Sequence, residues 1–575
     1  MSHEKHDTLN WLNLADKFAR DGDPKGMRAC AKELWQLDAE NMDGAAIMAE
    51  SALYMGSYDE ARILVQEILH KHKKHLRGRL VKAGLAAAKF KLDEEIPELR
   101  ALIIDTESKR QALDKDDAYY DVLVYILQKA RAWLADADYL AAAPQEAAAE
   151  LLAYSGLCTN NEEKAAAYSK YLFMRNYREQ SLIESLNEAK KYETILAVKP
   201  YAHDNVKKIP HKKLKIGYIS PDFREHAVAS FVEPLLKDFN GDSFMIFAYA
   251  TGKKDLVTKR LQNKLVNWRD LRGRSPRSAA RIIAEDELDI LVDLAGHTQN
   301  SSLPIMAYRP APLQLAGIGY MNTTGLGVID YFLSDEICLP SGDSAASGFS
   351  EQILRLSHSH LCYAPGIVRQ MPAAGLEAPC LSNGYVTFGS FNNFAKVTDG
   401  TLLLWRSILD QVKDSKLVIK GKICSIPSGQ DIVKKRLKRL GFDLARIELR
   451  PYSPNYLEEY RDIDIALDTM PYNGGITTCE ALYMGVPVVS MRGRTHGSRF
   501  GASILINAGV EELVTESDIN YVRRAIQLGN SPELIGAYHS GLRANMKKSW
   551  LMNGKNYMKE LELLYSQIWQ NFCII

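Results

Sequence analysis

The chain has 575 residues, a length that predicts about three or four domains. Hydrophobic residues make up 46% and charged residues 25%, which excludes disorder as the main state. Lys and Arg together number 72 and Asp and Glu 71, so no overall positive field would attract a nucleic acid. The short basic cluster at 207–213 contains Pro210 and is typical of a linker. We therefore expect no nucleic-acid partner.

The eight cysteines are scattered and include no Cys-x-x-Cys pair, so their spacing indicates neither a disulfide framework nor a zinc site. The polar residues 1–7 are not followed by the apolar core of a signal peptide. No run of about 18 apolar residues occurs in the sequence, so we expect no membrane-spanning helix. These features predict a cytoplasmic protein with reduced thiols.

The first part of the chain, to about residue 200, reads as successive helices with a countable repeat. Ala15, Ala49 and Ala83 are spaced by 34 residues, and Gly22 and Gly56 follow the first two by seven residues. A small residue on one helix and a glycine at the turn are typical of the helix pairs in tetratricopeptide repeats. The third copy has Phe at the glycine position and is degenerate. The alternative is an irregular helical domain with a chance spacing.

After residue 213 apolar segments alternate with helical ones, which predicts parallel sheets that are covered on both faces. Ligands of such sheets bind at the carboxyl ends of the strands, here between two doubly wound domains. We predict strands at 214–220, 244–250, 290–294, 313–318, 331–334, 386–391, 416–420, 446–450, 463–468 and 486–490, and helices near 117–135, 145–156, 161–196 and 555–570.

The predicted fold class is α plus α/β. The expected domains are repeats at 1–110, a helical extension at 111–205, a first Rossmann-like domain at 214–365, a second at 384–550, and a C-terminal helix at 551–575 that packs back on the catalytic half.

The segment 467–487 (LDTMPYNGGITTCEALYMGVP) carries the strongest chemical pattern. A strand end, a glycine turn and the hydroxyls of Thr477 and Thr478 lead into a helix. The unpaired N–H groups at such a helix start bind anions, and a diphosphate is a suitable ligand. Glu480, one turn into the helix, could then accept hydrogen bonds from ribose hydroxyls. The alternative is an ordinary Ser/Thr helix cap with a favourable acidic residue in the first turn.

From about residue 167 onward the sequence resembles the O-GlcNAc transferase family, which includes plant SPINDLY and bacterial members. Seven motifs occur in order: 215–226 (KIGYISPDFREH), 293–298 (DLAGHT), 309–314 (RPAPLQ), 319–325 (GYMNTTG), 329–335 (IDYFLSD), 388–396 (FGSFNNFAK) and 477–487 (TTCEALYMGVP). The resemblance implies a tetratricopeptide region followed by a two-Rossmann-domain glycosyltransferase of the GT-B fold. It also implies transfer of a sugar to Ser or Thr of an intracellular acceptor protein, which the repeats would bind.

The resemblance assigns roles to individual residues. His226 matches an active-site histidine, which acts as a base or positions the acceptor hydroxyl. Lys396 matches the lysine that neutralises the departing diphosphate, which is charge stabilisation without a metal. Without the motifs, His226 would be an ordinary surface residue and Lys396 a solvated charge. The other expected nucleotide-sugar residues are Asn393, Tyr456, Gly475, Ile476, Thr477, Thr478 and Glu480, with His297, Tyr320 and Thr324 on the donor or acceptor side.

Departures from the family pattern leave the donor open. Gly475 and Ile476 stand in the His-Thr-Thr segment of the animal enzymes, Met321 stands where relatives often have Pro, and Tyr456 replaces another histidine. We expect UDP-GlcNAc as the donor. GDP-fucose is the alternative, because the segment 477–487 resembles the SPINDLY branch, which uses that donor. A flagellin or another surface protein as the acceptor is an analogy with bacterial members, and the oligomeric state is open.

Two further hypotheses compete with a metal-free transferase. Asp462 and Asp464 fit the Asp-x-Asp pattern with which other glycosyltransferases hold a divalent ion. The chain could also be a non-catalytic repeat scaffold, although the joint presence of His226, Lys396 and Glu480 argues against that reading. We expect no cofactor and no catalytic metal.

Overall fold

The structure is a computed structural model that describes residues 2–117, 119–265, 267–375 and 377–574. The chain forms two compact units. Residues 1–167 with 425–433 form the first, called the helical unit, and residues 168–424 with 434–575 form the second, called the two-sheet unit. The segment 111–205, which the sequence predicts as one helical extension, therefore contributes to both units.

The helical unit consists of antiparallel helix pairs joined by short turns. Its helices are α1 (Ser2–Arg20), α2 (Pro24–Leu37), α3 (Met42–Tyr54), α4 (Tyr58–Lys71), α5 (Leu76–Ala88), α6 (Leu92–Gln111), α7 (Tyr120–Leu140) and α8 (Pro144–Leu157), and α9 (Asn161–Arg175) begins here.

The predicted repeat corresponds to three of these pairs. Ala15, Ala49 and Ala83 are all buried in the first helix of their pair. In the turns that follow, Gly22, Gly56 and Phe90 have φ angles of 71°, 76° and 53°. The left-handed backbone is thus kept even where glycine is lost.

A fourth pair, α7 with α8, has the same turn but lies outside the period of 34. Ala142 has a φ of 58° and follows the buried Ala135 by seven residues. The spacing from Ala83 to Ala135 is 135 − 83 = 52 residues, since α6, the following loop and α7 itself are all longer than their counterparts. The sequence period therefore missed this pair.

Helix α7 is the central element of the helical unit. It packs against α1, α5, α6 and α8 and buries residues on most of its circumference. The Tyr125 hydroxyl donates to Glu50 Oε1 at 2.5 Å, and Arg77 pairs with Asp16 nearby, all within the core. The first helices of the three counted pairs therefore contact another helix of the same chain, and not an open groove.

The first sheet of the two-sheet unit has seven parallel strands in the order β3-β2-β1-β4-β5-β6-β7. The strands are β1 (Leu214–Ser220), β2 (Phe244–Ala250), β3 (Asn267–Asp270), β4 (Ile290–Asp293), β5 (Leu313–Gly317), β6 (Tyr331–Asp335) and β7 (Gln352–Leu356), and the helices of this domain are α10 (Leu182–Leu196), α11 (Ala229–Lys237), α12 (Leu256–Gln262), α13 (Pro276–Glu285) and α14 (Leu303–Met306).

The second sheet has six parallel strands in the order β10-β9-β8-β11-β12-β13. The strands are β8 (Val386–Ser390), β9 (Ser415–Lys420), β10 (Ile447–Arg450), β11 (Ile465–Leu467), β12 (Val488–Met491) and β13 (Val514–Thr515), and the helices are α15 (Cys380–Asn383), α16 (Asp399–Gln411), α17 (Pro427–Arg439), α18 (Ile476–Tyr483), α19 (Phe500–Ala508), α20 (Asp518–Gly529) and α21 (Pro532–Lys548).

The chain passes twice between the two sheet domains, and the two crossings lie side by side. The first follows β7, and the second follows α21 and leads into α22 (Gly554–Ile574). The backbone N–H of Tyr363 donates to the carbonyl of Leu551 at 2.8 Å, which ties one crossing to the other. Helix α22 then packs against α11 and β7 of the first domain, where Tyr565 and Tyr218 share a hydrogen bond of 3.2 Å.

All ten predicted strands are confirmed, with ends that differ by at most two residues. The sequence analysis missed three other strands, which are edge or short strands. β3 is half exposed, β7 alternates between buried and more exposed residues, and β13 has only two residues. Among the described residues, none of the helices combines the length and apolar character needed to cross a membrane.

We predict opposite stability effects for two alanine substitutions in the helical unit. Gly56→Ala should lower the free energy of unfolding by about 1 kcal/mol, because a side chain is strained at a φ of 76° although its Cβ would meet no atom within 4 Å. Gly156→Ala, at an exposed position in the last turn of α8, should raise it by about 0.5 kcal/mol. Urea denaturation of both variants would check this, and equal effects would contradict the assigned turn strain.

Candidate active site

The loop between β11 and α18 leaves the start of α18 open toward a cavity. Gly475 precedes the helix and provides no side-chain cap. The N–H groups of the first helical turn have no carbonyl partner within the helix. A Cβ at Gly475 would meet no atom within 4 Å, so the space beside this helix start is free of protein atoms. This arrangement can accept an anionic ligand.

The carboxylate of Asp468 holds this loop in place. Its Oδ1 accepts from the backbone N–H of Thr469 at 2.8 Å and of Gly474 at 2.7 Å. Its Oδ2 accepts from the Ser490 hydroxyl at 2.6 Å. A Cβ at Gly474 would lie 2.5 Å from Thr477 Oγ1, so only glycine allows this close packing. One buried carboxylate thus fixes both ends of the turn that leads to α18.

Lys396 places a cation beside the same loop. It ends the short turn after β8, and its Nζ donates to the carbonyl of Asn473 at 2.9 Å. The ammonium also lies 3.6 Å from the centre of the Tyr472 ring. Burial lowers the pKa of Lys396 to about 8, because desolvation outweighs the attraction of Asp468. An anion at the start of α18 would restore the favourable environment that the ammonium has in water.

The two asparagines before Lys396 have different roles. Asn393, the predicted phosphate-side residue, is exposed, and its side chain caps the turn by accepting from Ala395 N at 3.2 Å. The neighbouring Asn392 is buried, and its Oδ1 accepts from the Thr477 hydroxyl at 2.9 Å. The sequence pattern missed Asn392, although it stands in the same motif. Thr478, by contrast, bonds to the carbonyl of Gly474 within its own helix turn.

Glu480 is a buried carboxyl group with one oxygen that has no partner. Its Oε1 accepts from the Tyr456 hydroxyl at 2.6 Å, while Oε2 has no hydrogen bond. Burial raises the pKa of Glu480 to about 7, against the opposing effects of Tyr456 and of the Arg369 charge. A buried acceptor without a donor is costly, so a ligand hydroxyl or N–H placed at Oε2 would stabilise the site.

His226 lies in the loop after β1, at the carboxyl end of the first sheet. Its Nδ1 accepts from the backbone N–H of Val228 at 3.4 Å and lies 3.4 Å from Asp222 Oδ2. Burial lowers the pKa of His226 although Asp222 opposes this, so the ring is neutral at neutral pH. Because Nδ1 faces these partners, Nε2 is the nitrogen left for a ligand.

A cavity of about 880 Å³ is lined by residues from both sheet domains, whereas the predicted residues Asn393, Lys396, Gly475 and Thr478 do not line it. Five predicted residues line it: His226, Tyr456, Ile476, Thr477 and Glu480. The lining also includes residues that the sequence did not single out, among them Tyr363, Arg369, Phe391, Lys420 and Tyr452. Arg369 comes from the first crossing and lies 4.8 Å from the centre of the Tyr456 ring. Aromatic rings beside a carboxylate and a guanidinium can bind a nucleoside.

His297, Tyr320 and Thr324 lie in a buried network that does not line this cavity. His297 bonds to Ser169 at 2.9 Å and to the carbonyl of Thr324 at 2.9 Å. The Tyr320 hydroxyl accepts from Asn176 at 3.3 Å. Burial lowers the pKa of His297 to about 4, so this ring is uncharged. These contacts attach α9 to the first sheet domain.

The two residues of the Asp-x-Asp pattern already have partners. Asp462 pairs with Arg450 at 2.8 Å. Asp464 is buried and accepts from the backbone N–H groups of Cys380 and Thr387 at 2.8 and 2.7 Å. Neither residue lines the cavity, so their contacts give no support to a divalent ion at the donor site.

We predict that Glu480→Gln trades nucleotide binding for stability. The folded-state pKa of Glu480 is raised, so its contribution to stability is present at about pH 5 and is lost as the pH rises through about 7. The side chain of the variant does not titrate. The difference in free energy of unfolding between variant and parent should therefore shift in the variant's favour by on the order of 2 kcal/mol from about pH 5 to about pH 8. Urea denaturation at both pH values would measure this gain.

The same variant should bind a nucleoside diphosphate more weakly at about pH 8, because an amide has one acceptor oxygen where the carboxylate has two. Glu448→Gln is the control, since Glu448 is an exposed carboxylate outside the cavity. If Glu480→Gln bound the nucleotide as well as the control at both pH values, Glu480 would not be a ligand.

The fold is that of a solved glycosyltransferase. The structure aligns over 100% of this chain and 99% of the other with a mutant O-GlcNAc transferase of Thermobaculum terrenum, with a TM-score of 0.71 and 23% sequence identity. The predicted fold class, a tetratricopeptide-like helical region followed by two Rossmann-like domains of the GT-B fold, is thereby confirmed.

Curated relatives match 63–72% of the chain. A tomato (Solanum lycopersicum) protein named "Probable UDP-N-acetylglucosamine--peptide N-acetylglucosaminyltransferase SPINDLY" is 40% identical over 380 residues, 64% of this chain and 40% of its own length. The Arabidopsis thaliana protein of the same name is 37% identical over 426 residues, 72% of this chain and 46% of its own length. Arabidopsis SEC is 26% identical over 375 residues, 63% of this chain and 38% of its own length. The match thus spans less than half of each relative.

The sequence profile of glycosyl transferase family 41 matches residues 187–372 and 367–561, which together are more than half of the chain. These ranges include the helix start, the lysine, the glutamate and the histidine described above. The chain therefore belongs to glycosyl transferase family 41.

Proposed function

We propose that the chain is an inverting protein O-glycosyltransferase that transfers a sugar from a nucleoside diphosphate sugar to a Ser or Thr hydroxyl. The observation that carries this proposal is the buried, unpartnered Oε2 of Glu480, which belongs to the same cavity as the open start of α18 and His226. A nucleoside supplies donors for that oxygen, its diphosphate suits the helix start, and the sugar then lies toward His226.

In the proposed reaction, the oxygen of the acceptor hydroxyl forms a bond to the anomeric carbon of the donor sugar. The reactive tautomer of His226 carries its hydrogen on Nδ1, directed at Asp222 Oδ2 in place of the contact with Val228 N–H. Its Nε2 then accepts the hydroxyl proton, and Asp222 stabilises the resulting imidazolium. The bond between the anomeric carbon and the diphosphate oxygen breaks with its electron pair on the nucleoside diphosphate. Attack from the side opposite the leaving group inverts the anomeric centre.

The leaving group acquires negative charge as that bond breaks, and the proposed site stabilises the charge without a metal ion. Lys396 supplies a fixed cation, and the N–H groups of the first turn of α18 supply partial positive charge. Because Lys396 is held by Asn473 in the same loop, both groups keep their positions before the donor arrives. Such preorganisation favours the transition state over the bound donor.

For the donor, we propose UDP-GlcNAc first, because the names of the relatives contain it. GDP-fucose is the second candidate, because the sequence resemblance to the SPINDLY branch implies that donor, and the chain is 40% identical to the tomato SPINDLY protein but 26% identical to Arabidopsis SEC. The sequence resemblance of segment 477–487 favours the same branch.

We further propose that the helical unit selects the acceptor protein. Stacked helix pairs form extended surfaces that bind protein segments. Because α7 packs against α1 and α5 and bonds to Glu50 of α3, we assign this role to the outer faces, where Ile63 and Ile104 are 60% and 69% exposed.

We predict that Lys396→Ala lowers kcat/KM for transfer by about 100- to 1000-fold, since the charge is needed only as the glycosidic bond breaks. Lys413→Ala is the matched control and should keep the parental rate, because Lys413 is exposed and follows the end of α16, whereas Lys396 precedes the start of that helix. Steady-state kinetics with either donor would measure the effect. Parental activity of Lys396→Ala, with the fold intact by circular dichroism, would overturn the assignment.

The donor can be identified by intact-mass spectrometry of acceptor proteins incubated with UDP-GlcNAc or GDP-fucose. We expect a mass increase of one N-acetylhexosamine with the first donor. An increase of one deoxyhexose with the second only would select the fucose alternative. If neither donor is transferred or hydrolysed, the proposed glycosyl transfer from these two donors is wrong.

A further inference from the structure

Three buried side chains outside the donor cavity converge on one point. Cys338 offers its sulfur, and His360 and His496 each offer a ring nitrogen. These three atoms lie within 4.8 Å of one another. The exposed fractions of the three residues are 0%, 0% and 2%. None of the three lines the cavity that contains His226 and Glu480. The cluster is therefore separate from the proposed donor site.

The cluster joins the two sheet domains. Cys338 follows β6 and His360 follows β7, both in the first domain, while His496 lies after β12 in the second. Polar contacts between the same segments surround it. Ser503 donates to Asp335 Oδ2 at 2.9 Å, and Arg499 pairs with Asp343 at 2.7 Å.

In both histidine rings one nitrogen has a hydrogen-bond partner and the other has none. Nδ1 of His360 lies 2.5 Å from Asp335 Oδ2, and Nδ1 of His496 lies 3.1 Å from the carbonyl oxygen of Met321. Since both partners are acceptors, each Nδ1 carries a hydrogen. Each Nε2 is buried and has no hydrogen-bond partner. Two unpartnered buried nitrogens in one cluster carry a cost that a shared ligand would remove.

This hydrogen-bond pattern is the one that orients histidines toward metals. A metal-bound imidazole usually donates its other N–H to a carboxylate or a backbone carbonyl, and the cluster has one of each. Cys338 Sγ donates to the carbonyl of Arg499 at 3.5 Å, and the side chains of Asp335 and Ser503 also interact with this thiol. The phenyl rings of Phe332 and Phe500 lie 5.2 and 5.1 Å from the His496 ring, which keeps the cluster apolar around its edge.

We propose that Cys338, His360 and His496 bind a divalent cation of the Zn²⁺ type, which clamps the two sheet domains together. One sulfur and two imidazole nitrogens are ligands that Zn²⁺ prefers, and a water molecule completes the tetrahedron. Binding forms one metal–sulfur and two metal–nitrogen bonds and releases the thiol proton to solvent. The thiolate and the Asp335 carboxylate then balance the two positive charges of the cation.

The surroundings provide a way in for the ion. His496 also lines a second cavity, of about 990 Å³, which is separate from the donor cavity and includes Met321, Thr495 and Ser498. The cysteine spacing did not indicate this site, because its ligands are 22 and 136 residues apart (360 − 338 and 496 − 360).

The test uses the full-length chain and Co²⁺ as a spectroscopic substitute for Zn²⁺. The protein is treated with a chelator, freed of it, and titrated with Co²⁺. We expect a thiolate-to-cobalt charge-transfer band that saturates at one ion per chain, and a higher thermal midpoint after Zn²⁺ is added. X-ray absorption of the Zn²⁺-loaded protein should show one sulfur at about 2.3 Å and two nitrogens at about 2.0–2.1 Å.

Two variants locate the ion. Cys338→Ser should lose the charge-transfer band, while Cys424→Ser, which removes another fully buried thiol, should keep it. His496→Gln should weaken Co²⁺ binding at least tenfold. If the parent shows no band and no thermal shift with Zn²⁺, or if Cys338→Ser keeps the band, the site does not exist. Because these measurements need no sugar donor, they can fail or succeed independently of the proposed transferase activity.

Discussion

The Asp468 carboxylate is the contact on which the donor site depends. It accepts from two backbone N–H groups and one hydroxyl. The backbone carbonyl of Asp468 also accepts from the Tyr521 hydroxyl at 2.9 Å. The loop it fixes carries the carbonyl that binds Lys396 and the glycine that opens the start of α18. A Cβ at Gly501 would lie 2.6 Å from Asp468 Oδ2, so the neighbouring helix is also packed against this group. Cation, helix start and carboxylate therefore form one preorganised element.

The donor site contains two ionisable groups whose surroundings favour their neutral forms. Burial lowers the pKa of Lys396 to about 8 and raises that of Glu480 to about 7, so each group is less stable in its charged form than in water. A nucleoside diphosphate offers the lysine negative charge and the glutamate hydrogen-bond donors. These two groups lower the free energy of unfolding of the chain, and a bound nucleotide would remove that cost, which strengthens its binding.

How much the sequence revealed depended on whether a pattern was local. Strands buried on both faces are continuous apolar runs, so all ten predicted ones are present, while the polar edge strand β3 was missed. The three helix pairs with a 34-residue period could be counted in the sequence. The fourth pair could not, because its alanine, Ala135, follows Ala83 by 52 residues instead of 34. Around the donor cavity, the motif residues were found because each stands in a short, recognisable segment. Arg369 was missed because it lies in the crossing between domains, where no periodicity marks it. The Cys338 cluster was missed because only the folded chain brings its members together.

The adjacency of the two chain crossings has a mechanical consequence for the two sheet domains. Tyr363 in one crossing is bonded to Leu551 in the other, and the stacked rings of His358 and Trp550, 3.7 Å apart, reinforce the junction. Two chain segments joined at one place behave as a single pivot. Rotation about that pivot changes the width of the donor cavity with little bending of the backbone, whereas sliding of one sheet past the other would strain both segments at once. The residues nearest the pivot, His360 among them, move least during such a rotation, and those at the far rim of the cavity move most.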